Sequence, residues 1–395
     1  MKHLTKVVAI TAALSVQGCM TMDNQPTTLR VATFNVSMEA LNYMPYEKGK
    51  PRIPSGNELM VALQSDHQQI KNIAQIIQSI QPDIILLNEF DRNNADHQKA
   101  LTIFRNEYLS QGELAIDYPF SYQGPVNTGV PANVDMNGNG SNADIPADTF
   151  GFGYFPGHFG MALLSKYPID NDAIRTFQKF KWKDMPNALK PVNPENGSDY
   201  YNKQAWENFR LSSKSHWDVP VNVNGTTIHV IASHPTPPVF DGKEDRNGKR
   251  NHDEIRMVND YISPNQASYL YDDSGVSGGL TANSRFVILG DLNASDIEGD
   301  AINAGISSLL NNPLVNDPMP TSKGGDLHKP DNANSKYHTA YWGMRADYVL
   351  PSQFGFNMID SGVYWPEKDS QEYYLIKDRG ASSDHRLVWV DLEIK

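Results

Sequence analysis

Polar side chains that can bind a cation or move a proton flank two apolar runs of the sequence. Asp291 and Asn293 follow the run that ends at Leu289, and Asp384 and His385 come just before another run. Side chains alternate along a strand, so Asp291 and Asn293 point the same way. Asp384 and His385 are adjacent and would point to opposite faces of a regular strand. To act together, they should therefore lie in a bend just before their strand. The rim where strands end is where such groups can meet a charged ligand.

Four further polar residues occupy comparable places. Asn35, Glu89 and His234 each follow a β-type run, and Asp347 begins one. Taken singly, each has an ordinary explanation, because Asp and Asn are common turn formers and a rim Glu is usually solvated. Together the groups form an oxygen-rich set with few histidines, which suits Mg²⁺, Mn²⁺ or Ca²⁺ rather than zinc. The pattern therefore predicts a site for a hard cation.

Composition narrows the class of protein. The chain has 395 residues, of which 39% are hydrophobic, enough for a sizeable core. The formal charge of -12 argues against a broad basic surface for nucleic acid. The sequence contains no HExxH motif, no CxxC pair and no Walker loop, so zincin, dithiol and P-loop chemistry have no support. One cysteine allows no intramolecular disulfide.

The N-terminus has the pattern of a processing signal. A short basic stretch precedes the ten apolar residues 7–16, which are too few to span a bilayer. The segment that ends at Cys19 resembles a bacterial lipobox, in which the cysteine is lipidated and becomes the mature N-terminus. We expect residues 1–18 to be removed and residues 19–28 to form a tether, placing the protein in the cell envelope, at the outer membrane. An ordinary secretory signal would give a periplasmic or secreted protein instead.

Hydrophobic patterns predict a layered fold of strands and a few helices. Residues 66–80 predict an amphipathic helix that starts at Asp66, and residues 219–233 predict a hairpin around Asn224-Gly225. The charged run 241–256 leads to a helix that ends near Ile262. Predicted strands cover 29–36, 84–87, 160–165, 286–289, 348–350 and 387–392. These elements favour an α+β fold of two packed sheets with helices outside, as one domain over 29–395 with irregular insertions near 124–153 and 180–215.

Several short motifs follow one another in a specific order. They are Thr33-Phe34-Asn35, Asn88-Glu89, 160–166, Ser233-His234-Pro235, 290–293, 347–350 and 382–385. With these motifs in this order, the sequence resembles the endonuclease/exonuclease/phosphatase superfamily, which has the DNase I-like fold. The resemblance implies a four-layer αββα sandwich with its site at one rim of the two sheets. Leu387 departs from the pattern of the superfamily, since a proline often stands there, and the insertions leave the identity of the substrate open.

By this resemblance, Asn35, Glu89 and Asp384 bind the metal ion, with Glu89 as the main ligand. The implied ion is Mg²⁺ or Mn²⁺. Its chemical role is to neutralise charge on the phosphoryl oxygens while water attacks phosphorus in line.

The remaining motif residues receive catalytic roles by the same resemblance. His385 is the general base or stabilises the transition state, and Asp347 orients it. Asp291 and Asn293 position the attacking water and a phosphate oxygen. His234 contacts the phosphate or protonates the leaving group. Whether Asp291 or His385 takes the proton of the water is open.

Two other segments can bind ligands. Asp135, Asn137 and Asn139 match the opening of a Ca²⁺-binding loop, although the twelfth position is Pro146 rather than Glu, so a plain series of turns is the alternative. Arg246 and Arg250 lie in the charged run after His234. They could bind a substrate phosphate with their planar guanidinium groups, although a charged loop is usually just solvated.

The sequence therefore predicts a divalent-metal-dependent phosphoesterase that acts on phosphodiesters or phosphomonoesters outside the cytoplasm. Within enzymes, the alternatives are a DNA or RNA endonuclease and a sphingomyelinase-like phospholipid phosphodiesterase. A catalytically inactive binding scaffold is the alternative from another class. The expected partners are a phosphorylated substrate, with nucleic acid as one candidate, and a membrane contacted only through the N-terminal lipid. We expect a monomer.

Overall fold

The apolar runs of the sequence become the strands of two β-sheets in this computed structural model. The structure describes residue 1, residues 27–92 and residues 96–395. The predicted signal peptide, the lipidation site Cys19 and most of the tether lie outside this part of the chain. Within it, no helix combines the length and the apolar character needed to cross a membrane.

The strands are numbered in chain order. One sheet has the order β10-β11-β1-β2-β4-β3, and the other has the order β5-β6-β7-β8-β9. Within the described residues the strands are β1 (Thr28–Met38), β2 (Ile84–Phe90), β3 (Phe120–Tyr122), β4 (Met161–Ser165), β5 (Arg175–Thr176), β6 (His216–Val223), β7 (Thr226–Ser233), β8 (Phe286–Asp291), β9 (Asp347–Pro351), β10 (Phe356–Val363) and β11 (Val388–Ile394).

Helices cover the outer faces and the connections. The longest is the fifth, and the third continues directly into a π-helical segment, Phe104–Leu109. The α-helices of the described residues are α1 (Glu58–Gln64), α2 (Gln68–Ile80), α3 (Lys99–Ile103), α4 (Lys203–Asn208), α5 (Arg246–Ile262), α6 (Asn303–Leu310) and α7 (Lys323–His328). Short 3-10 turns are Ala40–Tyr43, Asn171–Ala173, Trp182–Asp184, Ala267–Tyr269, Ser335–Tyr337 and Tyr373–Leu375.

The alternation of side chains along β8 shows how the layers pack. Val287 and Leu289 enter the core between the two sheets. Phe286 and Ile288, which point the other way, pack in a second core with Ile255 of α5. Each sheet is therefore apolar on its inner face, and helices cover its outer face. The predicted α+β arrangement of two packed sheets flanked by helices is confirmed.

Helix α2 starts two residues later than predicted. Asp66 does not cap it, because its backbone is in the left-handed region with φ 59°. His67 is the N-cap instead, and its side chain accepts a hydrogen bond from the backbone N–H of Gln69. The buried isoleucines of the helix, among them Ile73 and Ile77, pack on the first sheet as the spacing indicated.

Helix α5 begins at Arg246, so most of the segment predicted as a charged loop is helical. The prediction was wrong because the buried residues in the first half of this helix are polar. Asn251, Asp253 and Glu254 are all buried there, and each hydrogen-bonds a neighbouring segment. The hairpin of β6 and β7 is as predicted, with φ of 52° at Asn224 and 89° at Gly225.

Candidate active site

Six strand ends meet at one rim of the two sheets. β1 and β2 run parallel, with Asn35 opposite Asn88, and β7 and β8 also run parallel, so four carboxyl ends lie together. β9 is antiparallel to β8, which puts its first residue, Asp347, opposite Asp291. β11 is antiparallel to β1 and brings the segment before it to the same edge. Sheet topology therefore gathers the polar residues that are far apart in sequence.

A bulge at the rim turns Glu89 out of regular pairing. The register of β1 and β2 shifts between Asn35 and Met38. Ser37 and Glu89, one on each strand, have φ of 47° and 55°, a region that L-residues rarely adopt. The side-chain oxygen of Asn35 accepts a hydrogen bond from Ser37 N at 3.1 Å and supports this turn. Such a bulge re-aims a side chain, here the carboxylate of Glu89.

Asp291 lies at the centre of the site and is buried. Its Oδ2 accepts a hydrogen bond from Asn35 Nδ2 at 3.1 Å, and its Oδ1 accepts one from Asn293 N at 3.0 Å. The Nε2 atoms of His234 and His385 lie 3.4 Å and 3.5 Å from Oδ2. Burial raises the pKa of Asp291 to about 6, against the opposing effect of His385. Residues from both sheets therefore converge on one carboxylate.

His385 is held by a carboxylate behind it. Its Nδ1 lies 2.9 Å from Asp347 Oδ2, which also accepts a hydrogen bond from the hydroxyl of Thr339 at 2.7 Å. Burial alone lowers the pKa of His385, but Asp347 and Asp291 outweigh it and raise the pKa to about 10. His385 is therefore an imidazolium at neutral pH, oriented with Nε2 toward Asp291. Ligand atoms of these three groups lie within 4.8 Å of one another, close enough to hold a metal ion.

Glu89 lies among like charges. Burial raises its pKa to about 7, and the carboxylates of Asp384 and Glu39 add to the shift, while His385 and Asn35 oppose it. Ser37 Oγ donates to Asp384 Oδ1 at 3.3 Å, which ties the segment before β11 to the same rim. Half-buried carboxylates that repel one another fit a divalent cation, because the cation would supply the missing positive charge.

His234 and Asn293 connect the loop after β7 to the end of β8. Asn293 Nδ2 donates to the backbone carbonyl of Pro235 at 3.2 Å. His234 Nδ1 is buried without a hydrogen-bond partner among the described residues. Burial, together with Lys214 and His385, lowers the pKa of His234 well below its ordinary value. His234 is therefore a neutral imidazole that can donate one hydrogen bond, and it is poorly suited to give up a proton.

The structure adds residues that the sequence patterns did not single out. Glu39 Oε2 lies 3.0 Å from His158 Nε2, and both side chains are buried. The ring of His158 stacks on Phe159 with 3.8 Å between centroids. Lys214 is buried in the second insertion, next to His234 and Glu89. Spacing gave no signal for these three polar residues, because Glu39 lies between β1 and a 3-10 turn, and His158 and Lys214 lie in irregular segments.

The two arginines of the charged run lie near the site but are already engaged. Arg250 donates from Nε to the carbonyl of Leu211 at 2.8 Å and from Nη2 to the carbonyl of Phe150 at 2.7 Å. Arg246 pairs with Glu244. These bonds suggest that the two arginines hold the walls of the site in place. They favour that role over the predicted binding of a substrate phosphate by the two guanidinium groups.

The predicted calcium loop is closed by its own hydrogen bonds. Asp135 accepts from the backbone N–H groups of the loop, and Asn137 and Asn139 both donate from Nδ2 to Asp144 Oδ2 at 3.1 Å. Within the part of the chain that the structure describes, three acidic or histidine side chains cluster closely enough for a metal ion at Asp291, Asp347 and His385, and not at this loop. Calcium binding at this loop stays a prediction.

A model of the endonuclease/exonuclease/phosphatase family matches residues 32–385. The chain belongs to this family. The activities in the family's name are all hydrolyses of phosphoesters, so at the family level the protein is a phosphoester hydrolase. No curated protein matches the chain.

Solved structures are similar to this chain at low identity. An endonuclease/exonuclease/phosphatase from Beutenbergia cavernae is 17% identical with a TM-score of 0.50, over 93% of this chain and 72% of that one. The human Nocturnin catalytic domain with bound sulfate is 15% identical with a TM-score of 0.46, over 94% of each chain. Staphylococcus aureus beta toxin with bound magnesium ions is 15% identical with a TM-score of 0.43, over 93% and 100%. At 17% identity, the likeness to the Beutenbergia cavernae structure concerns the fold alone.

Proposed function

We propose that the protein is a divalent-metal-dependent phosphoesterase. The observation that carries this proposal is the convergence of buried carboxylates and imidazoles from both sheets on Asp291. A sheet core gains nothing from this arrangement, because burying charges that are only partly compensated costs free energy. Perturbed groups that share a rim are typical of catalytic sites.

Glu89, Asn35 and Asp384 are the residues that would hold the cation. All three offer oxygen ligands, and the raised pKa of Glu89 reflects burial and then repulsion by Asp384 and Glu39, both of which a cation would offset. The bound ion would supply charge neutralisation at the phosphoryl oxygens. Oxygen ligands favour Mg²⁺ or Mn²⁺. We leave His385 out of this set because its raised pKa keeps it an imidazolium, which has no free lone pair to offer a cation.

Asp291 is the better candidate for the group that takes the proton of the attacking water. Its pKa of about 6 leaves it mostly ionised at neutral pH and still basic enough to accept a proton. His385, with a pKa of about 10, is already protonated and cannot accept one. As a fixed cation, it suits stabilisation of the charge that develops on phosphoryl oxygens. His234, being neutral, would donate a hydrogen bond to an oxygen of the phosphate.

The proposal is tested by hydrolysis of bis-p-nitrophenyl phosphate with and without EDTA. We expect turnover that EDTA abolishes and that His385→Ala and Asp291→Ala each lower by about 10² or more. His229→Ala, in a residue that pairs with Asp218 away from the rim, and Asp360→Ala on the exposed face of β10 are matched controls. Wild-type turnover in both site variants, with folding intact, would rule the assignment out.

We further propose that the protein acts in the bacterial cell envelope as a monomer, anchored through Cys19. The lipobox-like segment supports the anchor. Cys19→Ser is expected to move the protein from the membrane fraction to the soluble fraction of the envelope. Equal membrane retention of the variant would contradict the anchor without touching the proposed chemistry.

A further inference from the structure

A cavity of about 680 Å³ opens beside Glu89, and we call it the rim cavity. Its walls come from the two insertions and from the segment that follows His234. Its volume lies within the roughly 300–1,000 Å³ typical of small-molecule sites. Aromatic rings line much of it: Phe152, Phe159, Tyr200, Tyr201, Phe209 and Phe240.

Hydrogen bonds from helix α5 fix the walls of the rim cavity in place. Glu254 Oε1 accepts from Ser213 N at 2.6 Å, and its Oε2 accepts from Thr236 N at 2.7 Å. One carboxylate thus fastens the second insertion to the loop after His234. Arg250, which lies 4.6 Å from the ring centroid of Phe209, ties both insertions to the helix through carbonyls. The cavity is therefore preformed, which reduces the entropy lost when a ligand binds.

Lys214 provides the cationic group of the rim cavity. Its side chain is 5% exposed, and among the described residues its ammonium group forms no hydrogen bond or ion pair. Of the other two cations that line the cavity, Arg246 is paired with Glu244 and Arg250 is bonded to carbonyls. Glu254, Glu89 and Asp291 lie near enough to attract the ammonium group, but none of them forms an ion pair with it. Its N–H groups are therefore left to bind an oxygen of a ligand.

Two exposed rings complete the recognition surface. Phe240 is 88% exposed and Phe152 is 61% exposed, although both are large and apolar. Exposed aromatic faces next to a cation suit a ligand that has a planar ring and an anionic group. A groove for a nucleic acid strand needs several cations along its length, and the rim cavity has one that is not already bonded to the protein.

We propose that the rim cavity binds the leaving group of a small phosphoester that carries a planar aromatic ring, and that Lys214 binds an oxygen of its phosphate. This inference rests on the proposed phosphoesterase function, because it places the ester bond between the cavity and Asp291. Phe152 and Phe240 would stack on the ring, and Glu89 marks the end of the cavity at which the phosphate lies.

The test measures binding rather than turnover. Phenylphosphonate and methylphosphonate have no ester bond to hydrolyse, and their affinities for the full chain in excess MgCl₂ are measured by calorimetry. We expect phenylphosphonate to bind wild type about tenfold more tightly, from stacking on aromatic rings. Phe240→Ala and Phe152→Ala should remove most of that difference. Phe354→Ala, at the opposite end of β9 from Asp347 and 45% exposed, is the matched control.

Lys214 is tested in the same assay. Lys214→Met should weaken both probes about tenfold, because it removes a hydrogen bond between charged groups, and Lys214→Arg should restore part of the loss. Equal affinity of the two probes for wild type overturns the inference. Aromatic and Lys214 variants that behave like Phe354→Ala overturn it as well.

The outcome separates the two proposals. If the probes bind as expected but bis-p-nitrophenyl phosphate is never hydrolysed, the rim cavity stands as a binding site and the phosphoesterase proposal falls. If the ester is hydrolysed and His385→Ala abolishes this, but the probes bind alike, the enzyme stands and the ligand assigned to the rim cavity falls.

Discussion

The pair of Asp347 and His385 gives the sharpest prediction, because one carboxylate sets the charge of the imidazole. We expect Asp347→Asn to lower the pKa of His385 toward its ordinary value of 6.5 or below. The change keeps the shape of the side chain and leaves the hydroxyl of Thr339 an oxygen to bond. What it removes is the negative charge 2.9 Å from His385 Nδ1.

The magnitude follows from the size of the shift. A pKa raised from 6.5 to about 10 corresponds to about 5 kcal/mol in favour of the imidazolium. This figure is a net value, because burial lowers the pKa while Asp347 and Asp291 raise it, so removing the charge of Asp347 can bring the pKa to 6.5 or below. Because the pKa is raised, the stabilisation is complete below pH 6.5 and is lost as pH rises through about 10. At pH 8, therefore, wild type has a charged His385 and the variant a neutral one.

Nitrogen-15 NMR of the histidine side chains and the pH profile of turnover are the assays. In metal-free wild type, His385 should show no titration between about pH 6 and 8, and in Asp347→Asn it should titrate there. Turnover of the variant should fall about 10² or more at pH 8, and less at pH 6. Thr339→Val, which leaves the carboxylate charged, is the matched control and should keep the high pKa. A variant whose His385 still fails to titrate, or that turns over normally at pH 8, would refute the reasoning.

Three further predictions concern metal binding and stability. Since the pKa of Glu89 is raised to about 7, the affinity for Mg²⁺ should rise with pH up to that value and then level off. Glu89→Gln should lose saturable binding of Mg²⁺ in calorimetry. An affinity for Mg²⁺ that does not change with pH would contradict this prediction. Burial lowers the pKa of His216 to about 4, so unfolding takes up a proton below pH 6.5. The free energy of unfolding should therefore drop by up to about 3 kcal/mol as pH falls from 6.5 to 4. Urea denaturation should show a smaller drop for His216→Gln than for wild type. Arg250→Met leaves the carbonyls of Leu211 and Phe150 without their donor, which should cost about 2–3 kcal/mol of unfolding free energy, and an unchanged urea midpoint would show that the bonds do not matter.

Local patterns were reliable where one face of an element is apolar. The isoleucine spacing of α2 and the apolar run of β8 correctly predicted a helix and a strand. In both elements the apolar residues of the pattern are the ones that the fold buries. The same rule failed for the first half of α5, where the buried Asn251, Asp253 and Glu254 are polar groups that bond to other segments. It also missed β10, an edge strand whose middle residues are exposed, so that no alternation marks it.

The residue types of the site were readable from the sequence, but their physical states were not. Asp291 and His385 stood out as polar groups beside apolar runs. Their pKa values come from burial and from carboxylates that are far away in sequence. Lys214 and the rim cavity could not be anticipated, because they arise where two irregular insertions meet a helix that the pattern concealed.

The sequence by itself determined the β-rich framework, the order of its motifs and the set of side chains able to bind a cation. These follow from short-range chemistry, which neighbouring residues fix. Only the tertiary structure decided which imidazole is charged, which carboxylate is left to act as a base, and what surrounds the substrate. Those properties depend on burial and on distances of a few ångströms between strand ends, and a chain sets such distances only when its two sheets have packed.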